Sequence, residues 1–138
     1  RVFTVASGTS RHAAVSAVAT DLLARSGLPM PLFNPWLYDG SGTFIARPDA
    51  WWPELGIAVE VDSREWHLSP EDHANTLARG RRMARYQVVV LRFTPRQIRT
   101  KPAEVIKDIK AALEGAQDRP PLKLKTIPAG DSGNGAAA

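Results

Sequence analysis

The sequence contains no cysteine. Disulfides and thiolate metal centres are therefore excluded, and the redox compartment leaves no trace in the chain. No apolar run approaches the ~20 residues that span a bilayer. The opening Arg1-Val2-Phe3-Thr4-Val5 lacks the long apolar core of a signal peptide. No internal repeat is visible. These absences make a soluble cytoplasmic protein the expectation. The 138 residues suffice for one domain with its own core and are too few for two ordinary ones. The chain starts at Arg1 rather than Met, which is compatible with an excised domain.

Positive charge is in excess, with a formal net charge of +4. The excess is concentrated between Arg64 and Lys110, where eleven Lys/Arg stand against five Asp/Glu. A basic stretch of this kind fits an anionic partner such as nucleic acid, and equally a solvated surface.

Periodicity divides the chain into a linker (1–9), an ordered domain (10–116) and a Pro-, Gly- and Ala-rich flexible tail (117–138). Ser10 can cap a first helix whose apolar stripe is Val15, Val18, Ala19, Leu22 and Leu23, with Gly27 and Pro29 as its stop. Three strands follow: Pro31 to Tyr38, Thr43 to Asp49 (extending towards Trp52), and Ile57 to Asp62, joined by the turns Asp39–Gly42 and Pro53–Gly56. Ser69-Pro70-Glu71-Asp72 reads as the start of a helix running to about Arg85. Gln87 to Phe93 is apolar enough for a strand covered on both faces. Thr94-Pro95 opens a helical turn, and Pro102 a last helix with Val105, Ile106, Ile109 and Leu113 inward. Leu122 to Lys125 alternates, but weakly. The predicted fold is α/β, with one core and a mixed four-stranded sheet. Its first three strands pair antiparallel and the fourth, after its crossover helix, lies parallel to one of them.

The chemistry gathers in Arg47 to His67, RPDAWWPELGIAVEVDSREWH. In IAVEVD, Ile57, Val59 and Val61 take one face, and Ala58, Glu60 and Asp62 the other. The two acids thus form a wet edge on a strand whose other face is core. A strict hairpin leaves Asp49 towards the far end of its partner. The Trp51-Trp52 extension and a bend at Pro48 are needed to swing it to Glu60. Converging carboxylates need a cation. Arg47, Arg64 or Arg92 would serve structurally. An all-oxygen set would otherwise take Mg²⁺, with Mn²⁺ as substitute. His67, five residues past Asp62, is placed to orient or deprotonate a water. On the following helix Arg81, Arg82 and Arg85 share about a third of the circumference, opposite an expected inward stripe of His73, Leu77, Gly80 and Ala84. Trp51, Trp52 and Trp66 read as packing residues.

This segment, followed by RG…RM and VVVLRFTPRQI, resembles the very-short-patch-repair-like branch of the PD-(D/E)xK nuclease superfamily. It is most similar to a bacterial domain-of-unknown-function family with D…ExDGxxH and VLRF signatures. The resemblance spans about Ser10 to Leu113. It implies a restriction-endonuclease-like core: helix, three-stranded meander, helix, strand. It implies Mg²⁺-dependent hydrolysis of nucleic-acid phosphodiesters, with DNA the favoured partner. Asp49 and Glu60 match metal ligands, joined by the carbonyl of Val61. Asp62 stands in the place of the superfamily's lysine, and His67 matches the branch's histidine. Arg79 matches an arginine of the second helix, and Arg64, Arg79, Arg81, Arg82 and Arg85 would bind nucleic acid. Ser16, Ser63 and Gln87 stand where relatives often carry glutamate, glycine and glycine. The alternative is a catalytically weak or inactive nucleic-acid-binding module on the same fold. Such a module could be the C-terminal part of an antitoxin-like protein with a winged-helix-like segment ahead of Arg1.

Overall fold

The computed structural model describes residues 17–62 and 69–130. In chain order the elements are helix α1 (residues 17–25), β1 (Leu32–Phe33), β2 (Trp36–Asp39), β3 (Phe44–Ala46), β4 (Ala50–Trp52), β5 (Ile57–Val61), α2 (Pro70–Arg85), β6 (Val89–Phe93), α3 (Pro95–Thr100), α4 (Pro102–Gly115) and β7 (Leu124–Ile127). The class is mixed α/β. A four-stranded mixed sheet has the order β1-β4-β5-β6, and a three-stranded antiparallel sheet the order β3-β2-β7.

The second sheet was not expected from the sequence, and its origin lies in two prolines. Residues 31–52 form one hairpin serving both sheets. Leu32 lies opposite Trp51 and Leu37 opposite Ala46, so the β1·β4 and β2·β3 pairs share one register. That register sets Pro35 against Pro48, both fully buried. Neither has an N–H, so the ladder is interrupted there and each arm changes sheet. Asn34 takes a φ of 52° at the bend, its N–H donating to the Asp49 carbonyl at 3.1 Å.

The first segment of the expected tail is also part of the fold. Residues 124–127 pair with all four residues of β2. Leu122 and Leu124 pack into the core, and Thr126 Oγ1 accepts the Trp51 indole N–H at 3.0 Å. The weak alternation from Leu122 to Lys125 is therefore a strand, made stable by β2 rather than by its own propensity.

The crossover is as the sequence predicts: β6 lies parallel to β5 and β5 antiparallel to β4. Gly56 closes the β4–β5 turn at φ 67°, and a Cβ there would lie 2.6 Å from both Arg119 Nη2 and Leu122 Cδ1. β6 is an edge strand among the described residues; Leu91 packs on one face and Val90 on the other, while Val89 is 39 % exposed.

The core forms two clusters, one on each face of the larger sheet, in place of the single core expected. Ala50, Trp52, Ile57 and Val59 face α1, α3 and α4 through Leu23, Ile98, Val105, Ile109 and Leu113. Trp51 and Ala58 face α2 and the smaller sheet through Met83, Leu37, Ile45 and Ala46. The stripe on α4 is as predicted. That on α1 holds at Ala19 and Leu23, whereas Val18 is 45 % exposed. Trp51 and Trp52 are buried packing residues, as predicted.

α2 begins where its capping signal predicts: Ser69 Oγ accepts from the Asp72 N–H at 3.0 Å, and Pro70 opens the helix. Its inward face differs from the predicted stripe. Met83 is fully buried, while His73, Leu77 and Ala84 are exposed. Those three, with Gly80, instead line a groove of about 470 Å³ alongside Val88 and Val90. No helix among the described residues is long and apolar enough to cross a membrane.

Candidate functional site

The site lies at the C-terminal end of β5. Ala50 pairs with Val59, so the register carried one residue further sets Asp49 opposite Glu60. The hairpin itself brings the two acids together, and no bend at Pro48 is needed to swing Asp49 across. Directly opposed residues hold their Cβ atoms about 5 Å apart. Asp49 Oδ2 accepts the Val61 N–H at 2.7 Å, which pins the aspartate across the strand end. Asp62 follows on the Glu60 side; its N–H donates to the Phe93 carbonyl at 2.7 Å and its side chain borders the groove beside α2.

Glu60 is not on a wet edge. It is 4 % exposed, the one buried charged residue among those described. α2 covers its face of the sheet. Arg79 Nε donates to Glu60 Oε2 at 3.0 Å and Arg79 Nη2 to Oε1 at 3.4 Å. Arg92 Nη2 donates to Oε1 at 3.3 Å. Both guanidiniums are about a third exposed, so they carry the buried charge out to solvent.

Of the structural cations the sequence suggested, Arg92 meets Glu60. The parallel register sets the two side by side. Aligning the apolar runs of β5 and β6 could have found this pair. Gly80 gave no sequence signal for its role: a Cβ there would sit 2.9 Å from Arg92 Nη2, so its absence makes room for the guanidinium to reach Glu60. Arg47 instead stacks on Trp36, with its charge centre 4.2 Å from the ring centroid.

Of the arginines expected on nucleic acid, two have partners within the fold. Arg79 is turned to Glu60. Arg82 Nε donates to the Ile45 carbonyl at 3.1 Å, holding α2 to β3. Arg81 and Arg85 are exposed, Arg81 beside the groove. Arg64 and His67, with Ser16, Ser63 and Trp66, lie outside the described residues. Asp21 of α1 pairs with Arg25 at 2.9 Å.

Among the described residues no group of three or more His, Asp or Glu gathers to hold a metal ion. The donors that do meet, Asp49 and Glu60 with the Val61 backbone, are hard oxygens of the kind that suits Mg²⁺ or Mn²⁺. Glu60 already shares both its oxygens with guanidiniums, so a cation held there would share the carboxylate with them.

Away from this cluster, Asp39 and Tyr86 form a second polar link. Asp39 accepts from the Ser41 N–H and hydroxyl, from the Thr43 N–H, and from the Tyr86 hydroxyl at 2.9 Å. The Ser41 hydroxyl bond, followed by those from Thr43 and Tyr86, holds the Asp39 pKa down from 3.8 to about 2. The same carboxylate raises the Tyr86 pKa above its usual 10.0.

No family model, no curated protein and no solved structure matches the chain.

Proposed function

We propose that this is a metal-dependent endonuclease-like domain with a restriction-endonuclease-like core, hydrolysing nucleic-acid phosphodiesters, DNA in the first place. The observation that carries the reading is the β4–β5 register, which sets Asp49 opposite Glu60 at the strand end where Asp62 follows. Asp49 and Glu60, with the Val61 carbonyl, would hold Mg²⁺, or Mn²⁺ in its place. The bound ion would supply a water of lowered pKa and a polarised phosphate. Asp62 or His67 would orient the attacking water and accept its proton. Arg79 and Arg92 fix the Glu60 carboxylate. The exposed Arg81 and Arg85, with Arg64, bind backbone phosphate.

A specific observation favours a second reading. Glu60 is already balanced by two arginines, so the cluster can serve as a lock between α2, β5 and β6. The domain would then bind nucleic acid without cutting it, as the regulatory part of a longer antitoxin-like protein.

Cleavage assays separate the two readings. Under the first, wild-type protein cuts DNA with Mg²⁺ or Mn²⁺. Asp49→Ala removes a proposed ligand and lowers the rate by more than the roughly 10–100-fold typical of losing a metal's outer partners. An absence of cutting with every divalent ion and every DNA and RNA substrate overturns it. Salt-sensitive binding in the same preparations then establishes the second.

A further inference from the structure

The three-stranded sheet carries chemistry that the acidic site does not use. Alternation along β2 sends Leu37 into the core and Trp36 and Tyr38 to the opposite face. Phe44 of β3 joins them there. Its ring lies 6.1 Å from that of Trp36, with planes at 60°, and 5.8 Å from that of Tyr38, at 68°. The β7 register sets Lys125 beside Tyr38. Arg47 lies over Trp36, fixed by two hydrogen bonds from Nε and Nη2 to the Asn34 carbonyl. Phe44 is 43 % exposed, Arg47 and Lys125 are exposed, and Trp36 and Tyr38 are half-buried.

Cross-strand aromatic pairs stabilise a small sheet, and some of this packing does so here. That role does not call for the cations. α2 packs on the other face of the sheet, where Met83 meets Leu37, Ile45 and Ala46. The outer face therefore combines three rings with two positive charges. Asp39, at the end of β2, is engaged by Ser41, Thr43 and Tyr86.

We propose that this face is a stacking platform for single-stranded DNA. Rings can accept only bases whose faces are free, and a duplex hides them. Residues two apart on a strand stand about 7 Å apart. Bases along one strand of a duplex are spaced by ~3.4 Å. Bases seated over Tyr38 and over the Arg47–Trp36 pair must therefore be spread apart, as an unpaired strand permits. Arg47 extends the platform as a planar cation on which a base can also stack. Lys125 meets the backbone phosphates. The choice of DNA over RNA rests on the function proposed above; the stacking argument does not.

The test is fluorescence anisotropy with a labelled oligo-dT of about 12 nucleotides, in the absence of divalent ions so that nothing is cut. Tighter binding to the oligonucleotide than to a duplex of the same length is expected. Phe44→Ala should weaken it by about 10-fold, and Lys125→Glu should weaken it and flatten its salt dependence. Thermal melts confirm that each variant folds, and Lys125→Glu alone suffices if Phe44→Ala does not. Unchanged affinity in the folded variants overturns the proposal. So does a preference for duplex or for RNA, or a dimer that Phe44→Ala dissociates, which would make this face a contact between two copies. Failure to cut with binding intact overturns the nuclease reading alone. Metal-dependent cutting with no role for Phe44 or Lys125 in binding overturns the platform alone.

Discussion

Gln87 occupies a position that most residues avoid. Its φ is 64°, in the left-handed region where a Cβ crowds the following carbonyl. The turn from α2 into β6 requires it: the Gln87 N–H returns to the Ala84 carbonyl, and the Val88 N–H reaches back to Met83. Gln87→Gly removes that strain but gives the unfolded chain more freedom. The Arg119 bond survives, because it falls on the backbone carbonyl of Gln87. The expected result is a gain of up to about 1 kcal/mol, and for Gln87→Val a loss, because a β-branched side chain is further disfavoured at positive φ; urea unfolding of the three proteins measures both. The sequence could show that a residue other than glycine stands before the strand. It could not show the backbone angle, which the chain's path from helix to sheet decides.

At the scale of the element, the 31–52 hairpin is held at its tip by Asp39 and bound to the C-terminal end of α2 through Tyr86. Asp39 is depressed from 3.8 to about 2, so its charged form is favoured in the folded protein. Its contribution is therefore fully present above pH 3.8 and disappears as the pH falls through about 2. Wild type should be more stable than Asp39→Asn near neutral pH. The gap should shrink below pH 3.8 and close near pH 2, as paired urea titrations across this range will register. A gap that stays constant with pH would exclude charge as its source. The Asp39-Gly40-Ser41-Gly42 turn is legible in the sequence because an aspartate bonding forward to the next residues is a local event. The Tyr86 link spans 47 residues and is not.

The whole molecule is two clusters back to back across one sheet, and β7 closes the second. Ending the chain at Gln117 removes the Leu122 and Leu124 contacts and the β2·β7 ladder. It also leaves the Trp51 indole N–H without its Thr126 partner. Two partly buried leucines and one orphaned buried donor amount to about 3 kcal/mol or more. A truncated protein that melts with the full chain would restore the view of 117–138 as a tail. Glu60 belongs to this scale as well. Period-two alternation correctly separates its face from that of Val59, but whether that face is wet depends on what packs there. α2 does so, bringing Arg79 from 19 residues away, while Arg92 arrives from 32 away through the parallel register.

The sequence by itself determined what short-range physics controls. The Ser69 cap, the Pro70 start, the two hairpin turns, the buried stripe of α4 and the parallel crossover all follow from residues close together in the chain. It also placed Asp49, Glu60 and Asp62 together as candidates. Tertiary structure decided the rest: the break at Pro35 and Pro48 that creates a second sheet, the recruitment of β7, and the burial of Glu60 under two arginines. Each depends on which distant segments meet. Free energy gained on contact between them outweighs local propensity, so none of the three was readable from one stretch of chain.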